Sequence, residues 1–521
     1  MNVAAATRDL LDRRLGRVSM YRLVLLVLIA LVVVAVVHTG VGDLGEGLWT
    51  VRGQATSLVV LLVAVTLPSW AIGRIVGVPA HLASSVITAL LLFFLFVPQE
   101  GGIKLAWIAV AGVLAALSKY VVVWRGRHVL NPAAAGAFGT YLVQRIADVD
   151  PLDRQAASWW IASADLLPYV AVGAFVVLWR TRRLGLGVLF VAVAWTLVVL
   201  ALHDFGTAFP EAARIALETS PLLFFAGFML SEPLTLPPRR HQQWIVAGVM
   251  AVVYAYPLAS LLVVERPQTF FVGDQWQVAA LLVGNLVAFA FARRMGVRLE
   301  LIERRDHGDG THELVFRPRS PLRFEPGQYL ELHVPHAEAD GRGVRRVFSI
   351  ASPVDAETVH VGLRVPDPSS SFKRELVRLE PGAVVRATGV AGDFVLPGDR
   401  SVPLALVAGG IGVTPFLSHL AGGGRDVVLV YGLPDGGTVP FADRLSGCRV
   451  VIVAPTCPSP LPEGWTWIES PVLTAAVVID AVPDLASRHV YVSGPPAMVN
   501  AVRPGLRRHA RKIRTDYFSG Y

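Results

Sequence analysis

Residues 404–420 read LALVAGGIGVTPFLSHL. Five apolar residues run into Gly409, Gly410 and Gly412, and Thr414-Pro415 then opens a second apolar segment. A short continuous apolar run bounded by turn residues is how a strand buried on both faces reads. Glycines let the following backbone turn tightly and come close to a ligand. The helix after them presents free amides and a positive end to a phosphate. The spacing GGIG-x-TP is not the GxGxxG fingerprint, so the loop alone is a weak sign of a dinucleotide site.

The neighbouring sequence strengthens it. DVVLVYG (426–432), RVVIVA (449–454) and HVYVS (489–493) are further short apolar strands, separated by helix-like segments or loops. This alternation predicts a parallel α/β sheet. HVYVSGPPAMV (489–499) is a second strand that ends in a glycine turn and enters a helix. Upstream the texture differs. VRLELIERR (297–305), THELVFRP (311–318) and QYLELHVP (328–335) alternate apolar with polar, and HGDG and EPG separate them. That pattern predicts an antiparallel β-barrel ending near Leu396-Pro397. Within it, RVFSIAS (346–352) sets an arginine suited to a bidentate pyrophosphate clamp beside an aromatic and two serines.

These three motifs, in this order and on this layout, resemble the ferredoxin–NADP reductase superfamily, as do PGQYLELHVP (326–335) and GDFVLP (392–397). The resemblance implies an FAD-binding barrel domain over 296–400 and an NAD(P)H-binding α/β domain over 401–521. It assigns Arg346 to the flavin pyrophosphate, Phe348 to stacking on the isoalloxazine, Ser349 to its N5 and Ser352 to the same edge. Val361, Gly362 and Leu363 would lie along the flavin, with its phosphates at the helix start marked by Ser370 and Ser371. Gly409, Gly410, Ile411, Gly412, Thr414 and Pro415 would hold the dinucleotide. Ser493, Gly494, Pro495, Pro496 and Met498 would wall the nicotinamide. Ser349, Thr414 and Ser493 are the catalytic candidates, and Phe518 or Tyr521 would cover the flavin face. Two positions depart from the family: Phe348 where Tyr is usual, and Ser493 where Cys is frequent. Asp435, after the strand ending in Gly432, would repel a 2′-phosphate, which favours NADH over NADPH.

The first half of the chain has another composition. The protein is 54% hydrophobic with a mean hydropathy of +0.54 over 521 residues, and the apolar excess fills residues 20–292. It predicts a polytopic α-helical membrane domain over 1–295, with about ten spans: 20–37, 56–76, 82–97, 103–124, 129–146, 162–179, 184–203, 215–231, 243–264 and 276–292. Alternate loops hold 16 and 6 of the Lys and Arg residues. This predicts a multi-pass cell-membrane protein with both termini cytoplasmic. Residues 1–297 carry 22 basic and 15 acidic side chains, so most of the net charge of +8 lies there. The second half has no basic stripe with interleaved aromatics, which excludes nucleic acid as the partner.

HVLNPAAAGAFG (128–139) breaks the apolar pattern with Asn131-Pro132. In hydrocarbon such a break belongs to a binding site or to a close crossing of helices by small residues. SKYVVVWRGRHVLNPAAAGAF (118–138) and FFAGFMLSEPLTLPPRR (224–240) resemble the B subunit of the sodium-pumping NADH:quinone reductase and the D subunit of the Rnf electron-transport complex. That resemblance implies flavin between two repeats. The S-G-A-T type motif that attaches FMN in those subunits is missing between Asn131 and Thr219. A second noncovalent flavin, a quinone or an empty scaffold remains open. Thr235 reads as a turn residue. His38, His81, His128, His203 and His241 sit at predicted helix ends or in loops, which sets haem behind flavin. Two cysteines, Cys448 and Cys457, are too few for a ferredoxin-type cluster, and no metal site is predicted. The expected function is a membrane-bound oxidoreductase that passes electrons from NAD(P)H through FAD to the membrane domain, a quinone or a redox protein. The alternatives are a membrane-anchored reductase of a soluble acceptor and a redox-driven ion transporter.

Overall fold

The computed structural model describes residues 20–42, 44, 49–76, 81–124, 127–233, 235–237, 239–260, 275–291, 296–336, 340 and 344–518. It contains a helical unit, Val18–Arg293, and a unit containing Arg294–Tyr521.

The helical unit comprises α1 (Met20–Val41), α2 (Val51–Val76), α3 (Leu82–Leu95), α4 (Gly102–Val121), α5 (Pro132–Ile146), α6 (Leu167–Arg180), α7 (Leu184–Asp204), α8 (Phe209–Glu218), α9 (Leu222–Leu230), α10 (Arg240–Ser260) and α11 (Trp276–Phe291). A two-stranded ladder, β1 (Val123–Trp124) with β2 (Arg127–His128), joins α4 to α5. The expectation of ten spans is corrected. Among the described residues four helices, α1, α2, α4 and α7, are long and apolar enough to cross a membrane, or five if α8 and α9 form one span bent by 49°. The reason is length. A crossing needs about 20 residues at 1.5 Å each, whereas α3, α6 and α11 have 14, 14 and 16. Asn131-Pro132 starts α5 afresh instead of interrupting a longer helix, leaving it 15 residues. The far end of the expected segment 243–264 lies outside the described residues.

The helices pack on a buried aromatic cluster that includes Phe93, Phe94, Trp160, Phe190, Phe224 and Phe225, with Phe190 stacked on Phe225 at 4.7 Å. Residues Phe225–Leu230 form a π-turn. Gly227 there lies so close to α6 that a Cβ would sit 2.6 Å from the Ala174 Cβ. The π-turn delivers the chain to Ser231-Glu232-Pro233.

The C-terminal unit has two six-stranded sheets. The first is antiparallel, in the order β6-β5-β8-β3-β4-β7. Its strands are β3 (Val297–Asp306), β4 (Thr311–Pro318), β5 (Tyr329–His333), β6 (Arg345–Ser349), β7 (Val359–Arg364) and β8 (Val384–Ala391). Period-two burial on β3 and β5 places Val297, Leu299, Leu301, Leu330 and Leu332 in one core. The expected barrel is partly open: β6 and β7 end the sheet, and a single backbone bond from Ala351 N to His360 O, 2.9 Å, joins the segment after β6 to β7. The helix α12 (Ser371–Arg378) follows β7.

The second sheet is parallel, in the order β12-β11-β10-β9-β13-β14. Its strands are β9 (Leu404–Gly409), β10 (Val427–Gly432), β11 (Arg449–Ala454), β12 (Thr466–Glu469), β13 (His489–Gly494) and β14 (Lys512–Tyr517). The helices α13 (Thr414–Ala421), α14 (Ala475–Ala481) and α15 (Pro496–Leu506) accompany it. All six residues of β9 are buried. The chain leaves β9 towards β10 on one side and returns to β13 on the other. The carboxyl ends of β9 and β13 therefore flank the point where the strand order reverses, which is where open α/β sheets bind ligands.

Candidate functional site

The two glycine turns meet at that point. Gly412 is pressed against the end of β13. A Cβ on it would collide with the Ser493 carbonyl oxygen and lie 2.6 Å from Gly494 Cα. Gly409 faces Met498 and Pro495 in the same way. Gly494 has φ +155°, a conformation that L side chains rarely adopt. Phe518 N donates to Gly494 O at 2.9 Å, so the chain after β14 is tied to this turn. The Ser493 hydroxyl is fully buried and has no hydrogen-bond partner among the described residues. Beside it in the ladder, Asp516 pairs with Ser493, and burial pushes its carboxyl up to about 6.

The antiparallel sheet supplies the opposite wall. Thr414 is buried and donates to Ile411 O at 3.0 Å within its own turn, so its hydroxyl serves the loop. Its methyl packs on Gly362 of β7, where a Cβ would be 2.5 Å away. Val361 and Leu363 point into the sheet's core. Between the two sheets lies a cleft of about 370 Å³, counted to its open mouth, lined by Asp309, Thr311 and Arg364 on one side and by Gly410, Ile411, Tyr431, Leu433 to Asp435, Thr438 and Pro440 on the other.

A second group forms at β6 and the start of α12. Arg346 is 6% exposed, and its guanidinium lies 5.2 Å from the Phe372 ring, which stacks on Phe348 at 6.0 Å. Ser370 caps α12 by accepting from Lys373 N, and Ser371 N donates to Asp340 Oδ2 at 3.2 Å. The other Asp340 oxygen is 3.5 Å from Arg346. Two donors of the kind that clamp a phosphate thus already converge on a carboxylate, so the cradle accepts an anion. Ser349 and Ser352 are buried nearby in the chain, the Ser352 hydroxyl without a partner among the described residues. Buried orphan hydroxyls at Ser352 and Ser493, an anion cradle at Arg346, and the close pass at Gly362 fit a flavin nucleotide and a dinucleotide. Arg346 and Phe348 would hold the first, and the Gly409–Pro415 turn the second. Tyr521 lies outside the described residues.

The loop 393–395 fastens the two sheets. His419 Nε2 donates to Phe394 O at 3.0 Å, Tyr491 hydroxyl to Val395 O at 2.9 Å, and Arg514 to both Asp393 O and Val395 O. Burial pushes His419 down to about 4, outweighing its hydrogen bond to Phe394. The ordinary value is 6.5. The folded state therefore refuses a proton that the unfolded chain takes. This stability is complete above pH 6.5 and is lost as pH falls towards 4, roughly 3 kcal/mol in all. Thermal unfolding followed from pH 7 to 4.5 is expected to show a steep acid loss, and His419→Gln is expected to flatten it by about one proton.

In the helical unit Asn131 is 2% exposed. Its Oδ1 caps α5 by accepting from Ala134 N at 3.1 Å, its Nδ2 donates to Glu232 Oε2 at 2.8 Å, and its own N–H donates to Asn285 Oδ1 at 2.7 Å. His128 Nε2 lies 3.0 Å from Glu232 Oε1. Asn131 and Glu232, 101 positions apart, are thus one polar knot. Together with Pro132 they line a cavity of about 610 Å³, counted to its open mouth, whose walls include Val24, Ile87, Leu91, Val177 and Phe228. Asn285 escaped the sequence reading, although a lone amide within LVGNLVAF was its signal. Among the described residues no His, Cys, Asp and Glu cluster could hold a metal ion.

No family model matches the chain. The reductase subunit of an aromatic O-demethylase from Amycolatopsis is 30% identical over 240 residues, spanning 42% of this chain and 68% of that one. The ferredoxin reductase component of 3-ketosteroid-9-alpha-monooxygenase from Mycobacterium tuberculosis is 28% identical over 230 residues, spanning 40% and 61%. Among solved structures, an Amycolatopsis cytochrome P450 reductase aligns with a TM-score of 0.38 and 27% identity, covering 43% of this chain and 70% of that one. The chain thus spans only 50 to 61% of several curated reductase components. Through its C-terminal module, which accounts for about 43% of its length, the chain belongs to the ferredoxin reductase-like family of FAD- and NAD(P)-binding oxidoreductases.

Proposed function

We propose that this chain is a membrane-bound flavin oxidoreductase that takes hydride from NADH and passes electrons on to a quinone at the helical unit. The carrying observation is the meeting of the Gly412 turn with Ser493-Gly494 at the switch point, with Gly362 as the facing wall. A bound FAD would supply the conversion of a two-electron hydride into single electrons. The chain's own residues do the rest. Arg346 and the α12 start neutralise the flavin phosphates. Gly409–Pro415 lets the dinucleotide backbone approach. Gly362 packs closely on Thr414 where the two sheets meet. The four apolar helices, with the polar knot at Asn131 and Glu232, support a membrane location and a site for a flat, carbonyl-bearing acceptor or a second noncovalent flavin. NADH is made and consumed in the cytoplasm, so the module faces that side.

A second reading, a membrane-anchored reductase of a soluble redox protein, draws on the relatives, whose names are those of reductase components. Cofactor analysis of the purified protein in detergent tests both. Acid-released flavin and an absorption spectrum before and after NADH are expected to give at least one FAD per chain, bleached by NADH. A haem spectrum or no flavin would sink the proposal. NADH-driven reduction of a short-chain quinone that fails while a soluble acceptor is reduced would favour the second reading.

Cofactor choice has its own test. Asp435 lines the cleft, and its carboxylate, held by Gly437 N at 3.2 Å, is a fixed negative charge there. Asp435→Arg is expected to raise the NADPH to NADH ratio of kcat/KM by about tenfold or more. An unchanged ratio in steady-state assays would place the ribose elsewhere.

A further inference from the structure

Arg444 ends a 3-10 turn, Ala442–Arg444, in the loop after β10. Its guanidinium crosses to the antiparallel sheet. One nitrogen meets Glu313 Oε1 and lies 3.4 Å from His360 Nδ1; the other donates to Ala351 O. Glu313 is 1% exposed. His360, at 3.0 Å, shares Oε1 with Arg444, while Oε2 faces Arg305 at 3.4 Å and His307 at 3.7 Å. Burial raises the Glu313 carboxyl, but His307, His360 and Arg444 outweigh it and hold the group well below the usual carboxylate range.

The same loop is seated a second time. The Phe441 ring packs on His307 at 4.2 Å, and Phe441 N donates to His307 Nδ1 at 3.4 Å. Phe441 holds φ +62°, a left-handed conformation that is costly for an aromatic residue and persists where its surroundings over-determine it. The ring reaches Gly362, where a Cβ would lie 3.0 Å from its tip. Between β10 and Arg444 the loop carries Leu433, Pro434, Asp435, Thr438 and Pro440, which make up most of one wall of the cleft beside Gly410, Ile411 and Tyr431. The opposite wall comes from the sheet that holds Glu313. The width of the cleft is therefore set where Arg444 meets Glu313.

We propose that Arg444 is a positioning residue for the pyridine nucleotide: tied to Glu313, it holds loop 433–445 at the distance from the antiparallel sheet that a bound dinucleotide spans. This rests on the proposed NAD(P)H reading of the cleft. A plain structural staple would lower stability without a selective effect on the nucleotide. A positioning residue changes nucleotide affinity while the flavin and its chemistry stay intact.

The test uses the full chain in detergent, loaded with FAD, as wild type, Arg444→Ala, Arg444→Lys and Glu313→Gln. Readouts are FAD per chain, the Kd for NAD+ by flavin fluorescence, and KM and kcat for NADH. Arg444→Ala is expected to raise Kd and KM about tenfold or more, with kcat within about twofold and FAD unchanged. Arg444→Lys restores most of the loss, and Glu313→Gln, which keeps the shape and removes the charge, reproduces it. A wild type that binds NAD+ and an Arg444→Ala or Glu313→Gln variant that binds it equally well would overturn the inference alone. A wild type that binds no nicotinamide nucleotide would overturn it together with the reading beneath it.

Discussion

Gly412→Ala is expected to stop NADH-driven reduction while leaving the flavin bound. The added methyl would collide with the Ser493 carbonyl oxygen and sit 2.6 and 2.7 Å from Gly494 Cα and N. All three are backbone atoms at the end of β13, a strand paired on both sides with β9 and β14. They cannot swing away as a side chain would, so the two turns must part. Overpacking of this kind costs about 1–3 kcal/mol. Misplacing a reactant by 1 Å costs about a hundredfold in rate. Stopped-flow reduction by NADH is expected to slow by about a hundredfold or more, with dithionite reduction and FAD content as in the wild type. Gly410→Ala is the control. A Cβ there meets nothing within 4 Å, and only its φ of +52° resists substitution, at about 1–2 kcal/mol. A Gly412→Ala protein that NADH reduces at the wild-type rate would remove this turn from the nucleotide site.

Asn131→Leu is expected to be the most destabilising single change in the helical unit. Asn131 is at once the cap of α5 and the amide that meets Glu232. Losing a cap costs about 1 kcal/mol. Taking one partner from a buried carboxylate costs up to about 3–5 kcal/mol. Glu232 is 22% exposed and keeps His128, so the lower end of that range applies and the sum is about 4 kcal/mol. Thermal unfolding in detergent checks it, with Asn131→Ser, which keeps a capping hydroxyl, expected to lose less. NADH:ferricyanide activity should survive in the Leu variant if its module stays folded. Equal melting of wild type and Leu variant would dissolve the knot as drawn.

The two sheets were legible because their signals are local. Alternation in VRLEL and continuous burial in LALVA are each decided by residues a few positions apart. The glycine turns at 409–412 and 493–496 carried the site for the same reason. What stayed hidden depends on distance along the chain. Glu313 and Arg444 are 131 positions apart, and nothing beside either residue announces the other. Asn285 meets Asn131 across 154 positions. Asp340, which meets Arg346 at the cradle, stands in the polar stretch HAEADGRG (336–343) of the sequence. The helix count failed differently. Hydropathy sees apolar length, and it ran across the caps and turns at Phe96, Asn131 and Leu166 that make α3, α5 and α6 short. The sharp bend between α8 and α9, at Thr219-Ser220-Pro221, was likewise smoothed into one segment.

The fastening at 393–395 bears on where this protein can be cut. The carbonyls of Asp393, Phe394 and Val395 belong by topology to the first sheet, yet side chains of the second satisfy them. A fragment ending at residue 400 would expose those acceptors to water and strip the aromatic surroundings of Phe394. The sequence divides there on paper, but the fold does not: whoever transplants the flavin half into another scaffold must carry His419, Tyr491 and Arg514 with it, or build their replacements.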